Sequence, residues 1–123
     1  MIEIGLTYTS TTQVTNNNTA LAIGSGDLPV FATPAMTALM ENAAMMSVAT
    51  HLDKADTTVG IEMNTTHIKA SAIGVEIKAT AKLIAIDNKK LTFQVVAIAN
   101  EVIIGEATHI RYTVNREKFL QRI

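Results

Sequence analysis

Residues 31–52 read FATPAMTALMENAAMMSVATHL, and this stretch decides the fold. Thr33 is of a type favoured at a helix N-cap, and proline, here Pro34, suits the first helical position. The segment therefore predicts one helix from Phe31 to Leu52, of about five turns. Its apolar residues occur nearly all the way round: Met36, Ala38, Leu39, Met40, Ala43, Ala44, Met45, Met46, Val48 and Ala49. Because a helix that is apolar on every side is typical of a protein interior, we expect this one to be buried.

One carboxylate, Glu41, lies inside this helix. Burial of an unpaired charge is costly, so Glu41 must be paired, protonated or functional. The helix is too short and too often interrupted by polar residues to cross a membrane.

The rest of the chain favours strands. Residues 2–15 suggest a first strand, and Thr19–Ile23 suggests a short extended piece. Four alternating segments follow the helix, with turn residues between them: Thr57–Thr66, Val75–Ile86, Leu91–Ala99 and Val102–Val114. In the first of these, alternation places Val59, Ile61, Met63 and Thr65 on one face. The charged tail Arg116–Ile123 is short enough for one helical turn.

This order predicts an α+β fold, in which a curved antiparallel sheet wraps around one long central helix. Tight hairpins predict that the four strands after the helix are antiparallel neighbours in sequence order. The whole chain, 1–123, is expected to be one domain. The sheet needs a second layer or a second subunit, and the strand after the helix could pair with its own copy across a twofold axis.

The composition argues against several classes of protein. The chain has 123 residues, a formal net charge of −1 and no cysteine. A nucleic-acid or anionic-membrane binder would show a basic patch, and without cysteine there is no disulfide framework, thiolate metal site or cysteine nucleophile. No signal-peptide pattern or metal-ligand spacing is visible, so the expectation is a cytoplasmic protein without metal or cofactor.

Three residues are candidates for chemistry: Thr33, Glu41 and His67. Thr33 lies where free N–H groups and the helix dipole favour a developing negative charge. His67 follows the strand after the helix, where the alternation breaks. Each also has a simpler interpretation, as a plain N-cap, a structural ion pair and a structural histidine respectively. For His51 and His109 we adopt the structural interpretation.

The chain resembles the fluoroacetyl-CoA thioesterase family of hot-dog-fold acyl-CoA thioesterases over nearly all of its length, from about residue 2 to 120. Three segments carry the resemblance, and Thr33, Glu41 and His67 fall at the family's spacing. The matching positions are residues 30–36 with Leu39, Met40 and Glu41; Val59, Gly60, Asn64, His67, Ala70 and Gly74; and residues 105–111, GEATHIR.

The resemblance implies an acyl-CoA thioester hydrolase with Thr33, Glu41 and His67 as catalytic residues. It implies that Gly60 lines the site of the thioester carbonyl, and that Arg111 matches a family arginine. It also implies a homodimer that pairs through the strand after the helix and could assemble further into a tetramer. Coenzyme A is then part of the substrate rather than a cofactor, and Lys69, Lys78 or Arg111 could meet its phosphates.

Helix geometry adds a constraint on this site. Thr33 and Glu41 are eight residues apart, which on one helix is about 12 Å of rise and roughly 80° of turn. They should not touch within one subunit, so we expect each active site to lie at the dimer interface and to draw on both chains. Glu41 could attack the thioester carbonyl or activate water as a general base, and both routes remain open.

Two other functions compete with hydrolysis. One is a non-catalytic hot-dog protein that binds acyl-CoA or another small ligand, and the less favoured one is an enoyl-CoA hydratase, whose Asp and His pair is absent here. The acyl group is a separate question. The fluoroacetyl-specific enzyme has aromatic gate residues before the helix, where this chain has Ser25, Gly26, Asp27 and Leu28, so another small, medium or aromatic acyl group is equally expected.

Overall fold

A computed structural model describes all residues from 1 to 123. Five strands and three helices follow one another in the order β1, α1, α2, β2, β3, β4, β5 and α3. Their bounds are β1 Thr7–Gln13, α1 Ala20–Ile23, α2 Thr33–Ala49, β2 Asp56–His67, β3 Glu76–Asp87, β4 Lys90–Ala99, β5 Val102–Asn115 and α3 Arg116–Gln121. None of the three helices has the length and apolar character needed to span a membrane.

The five strands form one antiparallel sheet in the order β1-β3-β4-β5-β2, curled around α2. The predicted α+β class is confirmed. Strands β3, β4 and β5 are joined by two-residue turns, in which Asn88, Asn100 and Glu101 adopt positive φ angles suited to tight hairpins. Alternate side chains of these three strands pack on Met36, Met40 and Ala44 of α2 to form the core.

The prediction that all four strands after the helix are sequential neighbours is wrong for β2. This strand pairs only with β5, and β3 pairs with β1 on the other side of the sheet. The eight residues between β2 and β3 are a connection across the sheet rather than a hairpin, because residues 68–75 leave β2 at one edge and enter β3 near the other. As a result, β2 is an edge strand with one unpaired side.

A β-bulge changes the faces of β2. The register shifts between Gly60 and Glu62, so Ile61 has no partner in β5. Thr58 and Gly60 face α2 before the bulge, and Met63 and Thr65 face it afterwards. The simple alternation that grouped Val59 and Ile61 with Met63 is therefore wrong, because one extra residue inverts the pattern.

Two predicted elements also differ in detail. The first strand is shorter than residues 2–15, and Thr19–Ile23 is not extended. Thr19 caps the short helix α1 instead, with its side chain accepting from the Ala22 N–H, and Gly24 ends it in the left-handed conformation. The predicted turn of helix in the tail is confirmed as α3.

The long helix begins two residues later and ends three residues earlier than predicted. Its N-cap is Ala32, which makes no side-chain cap, and Thr33 is the first helical residue rather than the cap. The expectation of burial on every side is also wrong, since one flank with Ala38, Met46 and Ala49 is exposed in the single chain. The helix packs mainly against β1 and β3, and a gap of about 200 Å³ remains between its C-terminal half and the start of β2.

Candidate active site

Thr33 and His67 meet at the N-terminal end of α2. The Thr33 hydroxyl and Nδ1 of His67 share a hydrogen bond of 2.8 Å. Because Thr33 lies inside the first helical turn and not at the cap, its hydroxyl is free for this contact instead of closing the helix end. The structure thus brings together two of the three residues that the sequence predicts to be catalytic.

His67 is held in a largely apolar setting. The ring of Phe31 meets it edge-on with centroids 6.4 Å apart, and Nε2 is buried without a hydrogen-bond partner. Burial lowers the pKa of His67 below its usual value, and the nearby backbone of Lys69 partly offsets this lowering of the pKa. Nε2 and the Lys69 backbone do not form a hydrogen bond. His67 is therefore neutral near pH 7, and its contact with Thr33 runs through Nδ1.

A cleft of about 230 Å³ lies beside this pair. Ser25, Val30 and Ile68 line it together with Thr33 and His67, and Lys69 supplies its only cation. A cleft of about 250 Å³ beside α3 contains none of the candidate site residues. The cleft at the helix N-terminus therefore fits best as the place where an acyl group would lie.

Glu41 lies two turns further along α2, facing β2. Its Oε2 is 4.0 Å from Nη1 of Arg111, and its side chain remains 42% exposed. Gly60 of β2 lies directly opposite: a Cβ atom there would come within 2.8 Å of Glu41 Oε2. Glycine at this position lets the strand backbone approach the carboxylate, and the sequence alone did not show that these three residues form one group.

Arg111 is held by His109 and by Thr58, which the sequence does not single out. Its Nε donates to Oγ1 of Thr58 at 2.8 Å, and its Nη2 donates to the Thr58 carbonyl at 2.9 Å. Its Nη1 lies 3.1 Å from Nε2 of His109, which is 1% exposed. The structural role assigned to His109 agrees with this burial. Its partner, however, is Arg111, two positions along the strand on the same face, and that i, i+2 spacing is the one signal that could have revealed the contact.

The site therefore consists of two groups in a single chain. Thr33 and His67 form the first, and Glu41, Gly60 and Arg111 form the second. No hydrogen bond or ion pair joins them. The separation expected from helix geometry is thus present, and Glu41 lies about one helical turn before the gap between α2 and β2.

Comparison with known proteins shows the family of this chain. A family model described as fluoroacetyl-CoA-specific thioesterase matches residues 14–117. The chain belongs to this family. A fluoroacetyl-CoA thioesterase from Streptantibioticus cattleyicolor is 32% identical over 94 residues, which cover 76% of this chain and 68% of that protein.

Solved structures agree in fold. The fluoroacetyl-CoA thioesterase superposes with a TM-score of 0.91 at 27% identity, over 99% of this chain and 95% of that one. A variant of the fluoroacetyl-CoA-specific enzyme in complex with fluoroacetate and CoA gives a TM-score of 0.89 at 27% identity, over 96% and 99% of the two chains. A thioesterase superfamily member from Thermus thermophilus, at 21% identity, shares the hot-dog fold with a TM-score of 0.90 over 98% and 90%.

The protein is accordingly an acyl-CoA thioester hydrolase with a hot-dog fold. The matches are to thioesterases, which favours hydrolysis over both alternatives, hydration of an enoyl-CoA and ligand binding without turnover. No group of three or more histidine, cysteine, aspartate or glutamate side chains converges as a metal site would require.

Proposed function

We propose that the protein hydrolyses an acyl-CoA to a carboxylic acid and free CoA at active sites completed by two copies of the chain, with Thr33, Glu41 and His67 as catalytic residues. The observation that carries this proposal is the position of Glu41, a half-exposed carboxylate held against Gly60 and Arg111 beside an uncovered gap. The reaction needs no metal or cofactor, because CoA arrives as part of the substrate.

The second copy supplies what the single chain lacks. β2 has an unpaired edge, and α2 has an exposed flank with Ala38, Met46 and Ala49. Two copies related by a twofold axis would pair their β2 strands and cover both gaps at once. Thr33 and His67 of one copy would then approach Glu41 of the other. A tetramer of two such dimers and a cytoplasmic location stay predictions.

The helix N-terminus supplies the electrostatic part of the reaction. Its first N–H groups have no partners inside the helix and favour negative charge, so a thioester carbonyl placed in the cleft near Thr33 would develop its oxyanion there. The Thr33 hydroxyl would donate to that oxyanion, and Nδ1 of His67 would orient the hydroxyl.

Glu41 would then act in one of two ways. As a nucleophile, Oε2 attacks the carbonyl carbon, the C–S bond breaks, CoA leaves as a thiolate, and water hydrolyses the resulting anhydride. As a general base, Glu41 takes a proton from water while the water oxygen attacks the same carbon, the C–S bond breaks, and CoA leaves as a thiol that has received that proton or one from solvent. Mass spectrometry of acid-quenched enzyme distinguishes the routes, because only the first adds the acyl mass to the peptide that contains Glu41.

The test of the proposed function is thiol release from a panel of acyl-CoAs, from acetyl to aromatic. Glu41→Ala should lower kcat by about 10²- to 10⁴-fold on any substrate that the wild type hydrolyses. Glu106→Ala is the matched control, because this acidic side chain of β5 is exposed and takes part in no ion pair. Equal loss in both variants, or none in Glu41→Ala, would contradict the role of Glu41.

The same panel of acyl-CoAs identifies which acyl group the protein hydrolyses best. Fluoroacetyl-CoA belongs in it because the Streptantibioticus cattleyicolor relative is named for that substrate. Ser25 and Phe31 both line the cleft in this chain, and Phe31, its one aromatic residue besides His67, is itself buried against His67. We therefore propose that selectivity for fluoroacetyl over acetyl is weak, and a strong preference for fluoroacetyl-CoA would count against this.

A further inference from the structure

The side chain of Arg111 is almost completely buried, yet one of its nitrogens faces a reactive group. Its Nε donates a hydrogen bond to the hydroxyl of Thr58, and its Nη2 donates to the carbonyl of Thr58. The remaining nitrogen, Nη1, lies between Nε2 of His109 at 3.1 Å and Oε2 of Glu41 at 4.0 Å. Because the guanidinium group is planar, its orientation sets the directions of the Nη1 hydrogens, and that orientation is held by Thr58 on one side and by His109 on the other.

The protonation state of His109 follows from its other nitrogen. Nδ1 lies 2.8 Å from the carbonyl oxygen of Glu62, next to the bulge in β2. A carbonyl oxygen only accepts hydrogen bonds, so Nδ1 carries the hydrogen. In a neutral ring Nε2 is then a bare acceptor, which is what an arginine N–H requires. Burial lowers the pKa of His109, and the neighbouring Arg111 charge acts in the same direction, while the Glu62 backbone and Glu41 oppose them.

We propose that His109 is a positioning residue for hydrolysis: its Nδ1–H is fixed by the Glu62 carbonyl, and its Nε2 accepts from Arg111 and so aims Nη1 at the carboxylate of Glu41. These contacts connect the backbone of β2 at Glu62 with His109, then with Arg111, and finally with Glu41 of α2. This inference rests on the proposed role of Glu41. His109 itself touches neither substrate nor the reacting atoms.

A purely structural role for His109 makes a different prediction. The ring also packs on Phe93, with centroids 6.3 Å apart and planes inclined by 33°. If packing were its whole function, any residue of similar shape and polarity would serve equally well. Substitution of His109 by glutamine or by asparagine distinguishes these possibilities, since each amide side chain reproduces the hydrogen bond of only one of the two imidazole nitrogens.

Glutamine places its amide near the position of Nε2 and can accept from Arg111, whereas asparagine places its amide near Nδ1 and can donate to Glu62. We expect His109→Gln to keep kcat within about threefold of the wild type and His109→Asn to lower it about tenfold or more, which is roughly 1.4 kcal/mol in the barrier. KM should change little in either variant, because neither alters the cleft at Thr33. Equal kcat values for the two variants would overturn the proposal.

A double-mutant cycle ties the effect to Glu41. In a Glu41→Ala background, His109→Asn should cause no further loss of kcat, because the group that it positions is gone. If the two losses multiply instead, His109 acts by another route and the proposal fails. If the wild type shows no Glu41-dependent thiol release at all, the proposed function fails first, and that result is distinct from either outcome of the cycle.

A measurement on the wild-type protein does not depend on activity or on a variant folding. Nitrogen-15 NMR of the histidine side chains distinguishes an imidazole with the hydrogen on Nδ1 from one with it on Nε2. We expect the Nδ1–H form for His109 at pH 7. The Nε2–H form would remove the acceptor for Arg111 and would overturn the proposal regardless of the kinetics.

Discussion

At the scale of single residues, Gly60 decides how closely β2 can approach α2. A Cβ atom there would lie 2.8 Å from Glu41 Oε2, 3.1 Å from His109 Cε1 and 3.3 Å from Arg111 Nη1. The first of these atoms ends a flexible, half-exposed side chain that can move away, so a methyl group would displace the carboxylate more than it would strain the fold.

Gly60→Ala should therefore lower kcat at least about tenfold while changing the unfolding temperature little. Gly105→Ala makes a useful contrast, since its Cβ would lie 2.6 Å from the buried sulfur of Met36 and 2.8 Å from the carbonyl of Thr66. We expect that variant to lose stability by about 1–3 kcal/mol, as overpacked sites do. Thermal melts and thiol release on both variants check the pair; loss of stability in Gly60→Ala equal to that in Gly105→Ala would contradict this account.

At the scale of elements, the sequence predicted the long helix and three of the hairpin-linked strands because their periodicities are local. It did not predict that β2 leaves its sequence neighbour to pair with β5, since strand order depends on contacts between distant segments. The bulge at Ile61 could not be predicted from the sequence either, because the residues of β2 on both sides of it continue to alternate in hydropathy. For the site, Thr33, Glu41 and His67 came from the resemblance and from chemistry, whereas Thr58 and the His109–Arg111 contact are products of the tertiary register.

The exposed flank of α2 leads to a prediction about assembly. Met46 lies on that flank and is 36% exposed. Met46→Lys should weaken self-association and lower activity in proportion, because a charge would be buried where two copies meet. Ile84→Lys is the matched control, since Ile84 is 40% exposed on β3, away from both β2 and α2. Sedimentation equilibrium and thiol release report both effects; a monomeric yet fully active Met46→Lys variant would show that one copy is sufficient.

At the scale of the whole molecule, mixing two inactive variants tests whether active sites are shared. If Thr33 and His67 act with Glu41 of the other copy, an equal mixture of Thr33→Ala and Glu41→Ala subunits forms dimers with one intact site. After exchange, activity should recover to about one quarter of the wild type, since half of the dimers are mixed and each has one of two sites. Recovery requires the two subunits to exchange, which labelled chains can verify. Exchange without recovery would place all three residues of a site in one chain.

Folding stability should depend on pH through the two buried histidines. Burial lowers the pKa of both His67 and His109 from 6.5, so the unfolded chain binds protons more readily than the folded one. Their contribution is fully present above pH 6.5 and is lost as the pH falls through the lower folded-state pKa values. Urea unfolding between pH 7.5 and 5 should show a falling free energy of unfolding, and the double variant His67→Gln, His109→Gln should flatten that decline. An equally steep decline in the double variant would contradict this explanation.

The bulge in β2 also has an evolutionary consequence. Residues that face α2 have even numbers up to Gly60 and odd numbers from Met63 to His67, so the strand changes parity once along its length. Loss of Ile61 alone would restore regular alternation and leave Gly60 and His67 on the face toward α2, six positions apart instead of seven. A strand without a bulge needs an even offset to present two such groups to its helix, so an offset of seven positions in a relative that uses the same two groups predicts a bulge between them.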